Sequence, residues 1–296
     1  MTGAASCSSL LMWRAPLCAG WLALCGLPSL ALAQAAPEPP RKALRVCQDP
    51  NNMPFSSVQA QGIENRIAEV FGRKLNLPVT YYSYPQRFAF VRNTLRFKLP
   101  EQDYPCDIMM GVPVGFDQVS VTKPYYRSAY ALVIPLGIGL DHVHSAQDFL
   151  STDPARLNKL KIGLFDRSPA SQWVQAHGLV DQVVVYKMLD ANPTQYPGQI
   201  IDTHLKNRQI DVAVVWGPIA GYFAKQSPGS LRVLPLTSEK GVRFDYPIAM
   251  GVRHGEREWK EQVESLIEQS QAEILSILQE FGVPLVEGTD ASTRKP

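Results

Sequence analysis

The chain of 296 residues predicts an α/β fold of two open lobes joined by two crossover strands. Two observations carry that expectation. Short β-branched or aromatic runs stop repeatedly at polar, Pro- or Gly-containing turns and give way to apolar residues at helical spacing, the strand–turn–helix unit of an open α/β sheet. Two further runs, residues 128–135 and 244–253, are apolar for longer than the rest and suit strands that pass from one lobe to the other. Open α/β sheets bind ligands just beyond the carboxyl ends of their strands, so the polar turns are where a site is expected.

Residues 1–33 read as an export signal: one basic residue, Arg14, an apolar stretch broken by Pro16, Gly20, Gly26 and Pro28, and a small-x-small ending at Ala31-Leu32-Ala33. The stretch is too short and interrupted for a membrane anchor. Cys18 and Cys25 each follow a leucine, where lipidation requires a small residue. A Pro-rich spacer, 34–40, follows, and no second long apolar run appears. A cleaved, soluble periplasmic product without membrane insertion is expected. Lys and Arg number 29 against 27 Asp and Glu, giving a formal charge of +2. Near-neutral, interspersed charge argues against nucleic acid or an anionic membrane as the main partner.

The signal carries Cys7, Cys18 and Cys25 away and leaves Cys47 and Cys106. An even count in an oxidising compartment favours a disulfide. The alternative is a pair of small buried side chains on neighbouring strands, and it stays open because Cys47 ends its strand while Cys106 precedes its own. Cys and His are not grouped at metal-ligand spacing, so no metal and no cofactor are expected.

The first strand, from Leu44 to Cys47, ends at the polar turn Asp49-Pro50-Asn51-Asn52, which cannot extend it. Ile63, Ile67, Val70, Phe71 and Leu75 then place one apolar stripe on a helix, with Glu64 on its charged, solvated side. A second strand over 79–84 stops at Pro85, before a helical stretch containing Phe90, Val91 and Leu95. Residues 96–105 form a charged surface loop, and 107–113 a third buried strand with a Gly- and Pro-rich end. After the first long apolar strand the pattern restarts: a helix over 145–150, a strand over 161–165, and a helix with Ser168 as N-cap, Pro169 at its first position and Gly178 as terminator. That helix start presents free N–H groups to an anionic or carbonyl group, or is simply capped. A strand over 183–189, a helix around Ile200, Ile201 and Leu205, and a strand over 211–216 follow. Trp216 ends that strand as a stacking wall or a core residue. Gly217-Pro218 opens a helix, 232–236 is another strand, and the last helix runs through Val263, Ile267, Ser270, Ile274, Leu278 and Phe281 to Gly282. The lobes would comprise 41–130 plus 245–286, and 131–244, with a disordered tail over 287–296.

Strand-end positions nominate a ligand cleft of Asp49, Asn51, Asn52, Phe55, Gln86, Arg87, Pro113, Tyr125, Ser168, Ser171 and Trp216. Glu64, Asp49 and Asp166 are the carboxyl groups near it, yet no Ser/His/Asp or Cys/His constellation accompanies them. His142, His144, His177, His204 and His254 fall in loops or at helix ends. No catalytic residue is assigned, and a non-enzyme is expected.

The blocks CQDPNNMPFS, GIENRIAEVF, YPQRFAFVRNTL, CDIMMGVP and TKPYYRS, in that order, resemble the quinoprotein-dehydrogenase-associated subgroup of type II periplasmic solute-binding proteins. The resemblance covers almost the whole mature chain. It implies a two-lobed periplasmic protein coupled to a pyrroloquinoline-quinone methanol or alcohol dehydrogenase, and it places both mature cysteines in the subgroup pattern, in support of their pairing. Amino-acid receptors of this type follow the third strand with Thr-x-x-Arg, whose arginine grips the ligand carboxylate. Here Gly115 and Gln118 stand at those places, and Trp216-Gly217 replaces the aspartate that meets the ammonium. A zwitterion without those partners would be desolvated for little return. An accessory role by contact with a quinoprotein dehydrogenase is therefore expected, the alternative being a transporter's receptor for a small solute that is not an amino acid.

Overall fold

A computed structural model describes residues 41–86, 89–188, 192 and 194–287. The expected signal and spacer, Arg87, and residues 288–296 of the expected tail lie outside the described residues.

The elements follow in order as β1 (Leu44–Gln48), β2 (Asn51–Asn52), β3 (Ser56–Ser57), α1 (Ile63–Leu75), β4 (Val79–Ser83), α2 (Phe90–Asn93), β5 (Ile108–Pro113), β6 (Ser120–Val121) and β7 (Tyr126–Pro135). There follow α3 (Ala146–Leu150), α4 (Pro154–Leu157), β8 (Ile162–Phe165), α5 (Pro169–Ala176), β9 (Val183–Tyr186), a π-helical turn (Ile200–Leu205), β10 (Val212–Trp216) and α6 (Gly217–Gln226). The chain ends in β11 (Leu231–Pro235), β12 (Asp245–Val252), α7 (Arg257–Gln269) and α8 (Gln271–Glu280).

The main sheet runs β4-β1-β5-β12-β7-β10-β8-β9, with β11 beside β7 and β6 beside β12. Strand β7 belongs to both halves. Tyr126 to Ala129 pair with β12, and Tyr130 to Val133 pair with β10, while β11 covers the other edge of the second stretch. The return from β11 to β12 is residues 236–244, which follow strand residues on both sides.

Both sheet faces are covered, and the strands show it. Leu132 and Ile134 of β7 and Val212 and Val214 of β10 pack with Phe149, Trp173 and Phe244; their neighbours Ala131, Val133, Ala213 and Val215 pack with Ile219 and Phe223 on the opposite side. Alternation of period two with both sets apolar is what a doubly covered sheet requires. In the first half, the α1 stripe Ile63, Ile67 and Phe71 meets Leu44 and Val46, and α7 and α8 add Val263, Ile267, Ile274 and Leu278 to the same core. On the other face lie Cys47, Phe90, Leu95, Cys106 and Met109. Cys47 and Cys106 are joined as a disulfide. The strand-end geometry that spoke for caution is no obstacle, because Cys47 lies on β1 and Cys106 leads into the adjacent strand β5, and the β1–β5 pairing brings the two cysteines within bonding reach.

Three elements depart from expectation. The single terminal helix is divided at Ser270, whose backbone leaves the helical region and whose buried hydroxyl finds no hydrogen-bond partner among the described residues. The stretch near Phe90 is one helical turn only, and β9 ends at Tyr186, three residues early.

Beneath β5 lies a fully buried carboxylate. Asp107 accepts from Arg45 Nε at 2.6 Å and from Arg253 Nη2 at 2.7 Å, with Arg41 Nη1 at 3.1 Å. Arg253 also donates to the Leu95 and Cys106 carbonyls and stacks on Tyr104, and Arg41 stacks on Trp259. Burial alone would raise the Asp107 pKa, but the Arg45 and Arg253 hydrogen bonds outweigh it and hold the carboxyl below its ordinary value.

Candidate functional site

The turn after β1 is built by Asp49. One carboxylate oxygen accepts from the Asn51 N–H at 2.8 Å, and the other from the Gln86 N–H at 2.5 Å. Asn52 Nδ2 donates to Gln86 Oε1 at 2.9 Å, so the turns after β1 and β4 are tied into one rim. Behind the rim, Asn65 Oδ1 accepts from the Gly62 and Ser57 N–H groups and caps α1, while its Nδ2 donates to Gln48 Oε1 at 2.7 Å. Gly62 is required at this cap, because a Cβ there would sit 2.1 Å from the Phe55 carbonyl oxygen.

These rim elements border a cavity of about 560 Å³. Asp49, Asn51, Asn52, Phe55, Gln86 and Pro113 line it from the first half, and Trp216 from the second. Three further nominees are placed elsewhere. Tyr125 is buried in the core, its ring 4.9 Å from that of Tyr126. The Ser168 hydroxyl donates to the Phe165 carbonyl at 2.7 Å instead of capping α5, and Ser171 Oγ also turns toward that carbonyl at 3.4 Å. Asp166 is not itself in the lining, but its carboxylate accepts from the N–H of Met188, which is.

Sequence reasoning passed over most of the aromatic lining. Tyr126, Tyr130, Tyr186, Tyr196 and Tyr246 all face the cavity. Tyr130 is the centre of a ring cluster, with Trp216 at 5.4 Å, Tyr246 at 6.4 Å and Phe244 at 6.2 Å between centroids. A usable signal was present: Tyr126 and Tyr130 share parity on β7 and so one face of the strand. The π-helical turn contributes Ile200 and His204, and the His204 ring lies 4.5 Å from that of Tyr186.

Glu64 is the largest departure. Expected on the solvated side of α1, it is 9 % exposed and lines the cavity. Its Oε1 lies over Gly111, where a Cβ would come within 2.5 Å. Burial first, and then the nearby Asp49 charge, pushes the Glu64 carboxyl up to about 7. The same burial, with Glu64 beside them, raises the hydroxyls of Tyr125 and Tyr126. Gly115 and Gln118 are exposed and outside the lining, so neither residue reaches this cavity. Among the described residues no group of His, Cys, Asp and Glu is arranged to hold a metal ion, and no helix is long and apolar enough to cross a membrane.

No family model matches the chain. Protein MoxJ of Paracoccus denitrificans is 27% identical over 278 residues, covering 89% of this chain and 96% of that protein. The crystal structure of periplasmic binding protein XoxJ from Methylobacterium extorquens AM1 is similar with a TM-score of 0.65 at 33% identity, over 83% of this chain and 100% of that one. MxaJ from Methlophaga aminisulfidivorans MPT matches with a TM-score of 0.68 at 21% identity, over 82% and 100%, a likeness of fold. With 33% identity over 83% of its length and the whole of a solved relative, a type II two-lobed architecture and an aromatic-walled cavity, the chain belongs to the family of periplasmic binding proteins that includes XoxJ.

Proposed function

We propose that the protein is a periplasmic accessory component of a quinoprotein methanol or alcohol dehydrogenase system, and that it acts by contact with the dehydrogenase during maturation or activation. The observation that carries this reading is the full-length relation to proteins named MoxJ and XoxJ. The cavity adds support, since Gly115 and Gln118 stand outside it and, among the described residues, no arginine lines it to clamp an amino-acid carboxylate. The reading includes export with cleavage near Ala33, a first lobe of 41–130 plus 245–286, a second of 131–244, and no catalytic residue. The cavity is read as a binding site around Asp49, Asn52, Gln86 and Trp216.

The test is deletion of the gene, with quinoprotein dehydrogenase activity and bound quinone measured in periplasmic extracts. Activity should fall and return when the chain is supplied in trans. Unchanged activity with full quinone loading would overturn the reading.

A further inference from the structure

The Glu64 carboxyl receives no hydrogen bond from any described residue, although it is nine-tenths buried. The other carboxylate on the cavity, Asp49, has both oxygens occupied by backbone N–H groups of Asn51 and Gln86. A carboxyl that faces a cavity with no protein donor is left to water, to its own proton or to a group that enters the cavity.

We propose that the cavity binds a small primary amine lacking a carboxylate, its ammonium on Glu64 and its apolar body among Tyr126, Tyr130, Trp216 and Tyr246. An ammonium there makes a charge-assisted hydrogen bond in a site with little water screening. The rings supply the rest, because tyrosine and tryptophan faces attract a cation and bury its hydrocarbon portion. The described residues offer no equal place for an anion. Lys187 is exposed at the edge, and the His204 ring is engaged by Gln209 and Tyr186.

The groups facing Glu64 are Asp49 from the turn after β1, Tyr125 from the residue just before β7, and Tyr126 from the start of β7. The ion pairs elsewhere on α1, Arg66 with Glu280 and Lys74 with Glu273, point to α8 on the outer surface. With a carboxyl pushed up to about 7, the amine must displace a proton below that pH.

Isothermal titration of the purified protein with benzylamine, benzyl alcohol and benzoate tests this. Benzylamine should bind at least about tenfold tighter than benzyl alcohol, and benzoate weakest of all. Its affinity should rise about tenfold per pH unit below 7 and level off above. In Glu64→Gln, checked for folding by circular dichroism, the amine should lose its advantage and its pH dependence while the alcohol binds as before. Equal binding of amine and alcohol by the wild type, tightest binding of benzoate, no binding of any probe, or an amine preference that survives Glu64→Gln would each overturn the proposal.

Discussion

Glu64 and Asp107 are both buried carboxyl groups, and their surroundings send them in opposite directions. Asp107 is met by Arg45, Arg253 and Arg41, so its folded pKa lies below the unfolded one and its contribution is present at neutral pH. That contribution is lost only as acid brings the pH down through the folded value. Removing the carboxylate leaves several guanidinium groups around a hole. Asp107→Ala should cost about 3–5 kcal/mol, read as a drop in the urea midpoint at pH 7. Glu64 behaves the other way. Its folded pKa of about 7 exceeds the ordinary 4.5, so the folded state binds the extra proton and stability falls as pH rises between those values. The difference corresponds to about 3 kcal/mol at pH 8, and Glu64→Gln should remove most of that pH dependence from urea unfolding curves.

At the scale of elements, close approaches fix the geometry. Helix α6 meets the segment after α8 at Gly221, where a Cβ would lie 1.9 Å from the Gly282 carbonyl oxygen. Lys225 Nζ donates to the Glu280 carbonyl at 2.7 Å, and Ser128 Oγ to the Pro284 carbonyl at 2.6 Å, so the segment after α8 is fastened where β7 changes partners. Backbone cannot yield as a flexible side chain can. Gly221→Ala should therefore lower the melting temperature despite the better helix propensity of alanine, by about 1–3 kcal/mol of overpacking against about 1 kcal/mol gained. The disulfide closes 59 residues of sequence separation and ties β1 to β5. Replacing both cysteines by serine should cost about 2–5 kcal/mol, measured by denaturation under oxidising conditions. Its existence was half-legible in the sequence, since an even cysteine count pointed to it while strand-end positions gave no distance.

For the whole molecule, β7 is the structural hinge of the sheet. Its first four residues pair with β12 and the rest with β10 and β11, so neither half keeps its central pairing if the other unfolds. A single cooperative transition is expected. Trp173 and Trp216 report on the second half and Trp259 on the first; single-tryptophan variants and far-UV circular dichroism should give coincident urea midpoints. The cavity sits along this shared strand, through Tyr126 and Tyr130, which gives any ligand contacts to both halves at once.

The sequence by itself determined the α/β class, the order of most elements and the polar rim of the cavity, because those rest on local rules: alternation in strands, apolar stripes in helices, and turns of Asp, Asn, Pro and Gly. Asp49, Asn52, Gln86 and Trp216 were legible for that reason. Tertiary structure decided the rest. Whether Tyr125 or Tyr126 enters the cavity depends on strand register, where one residue changes the face. Whether Glu64 meets water or a cavity wall depends on how far α1 is covered by β5 and β7, contacts made across distant sequence that no local pattern encodes.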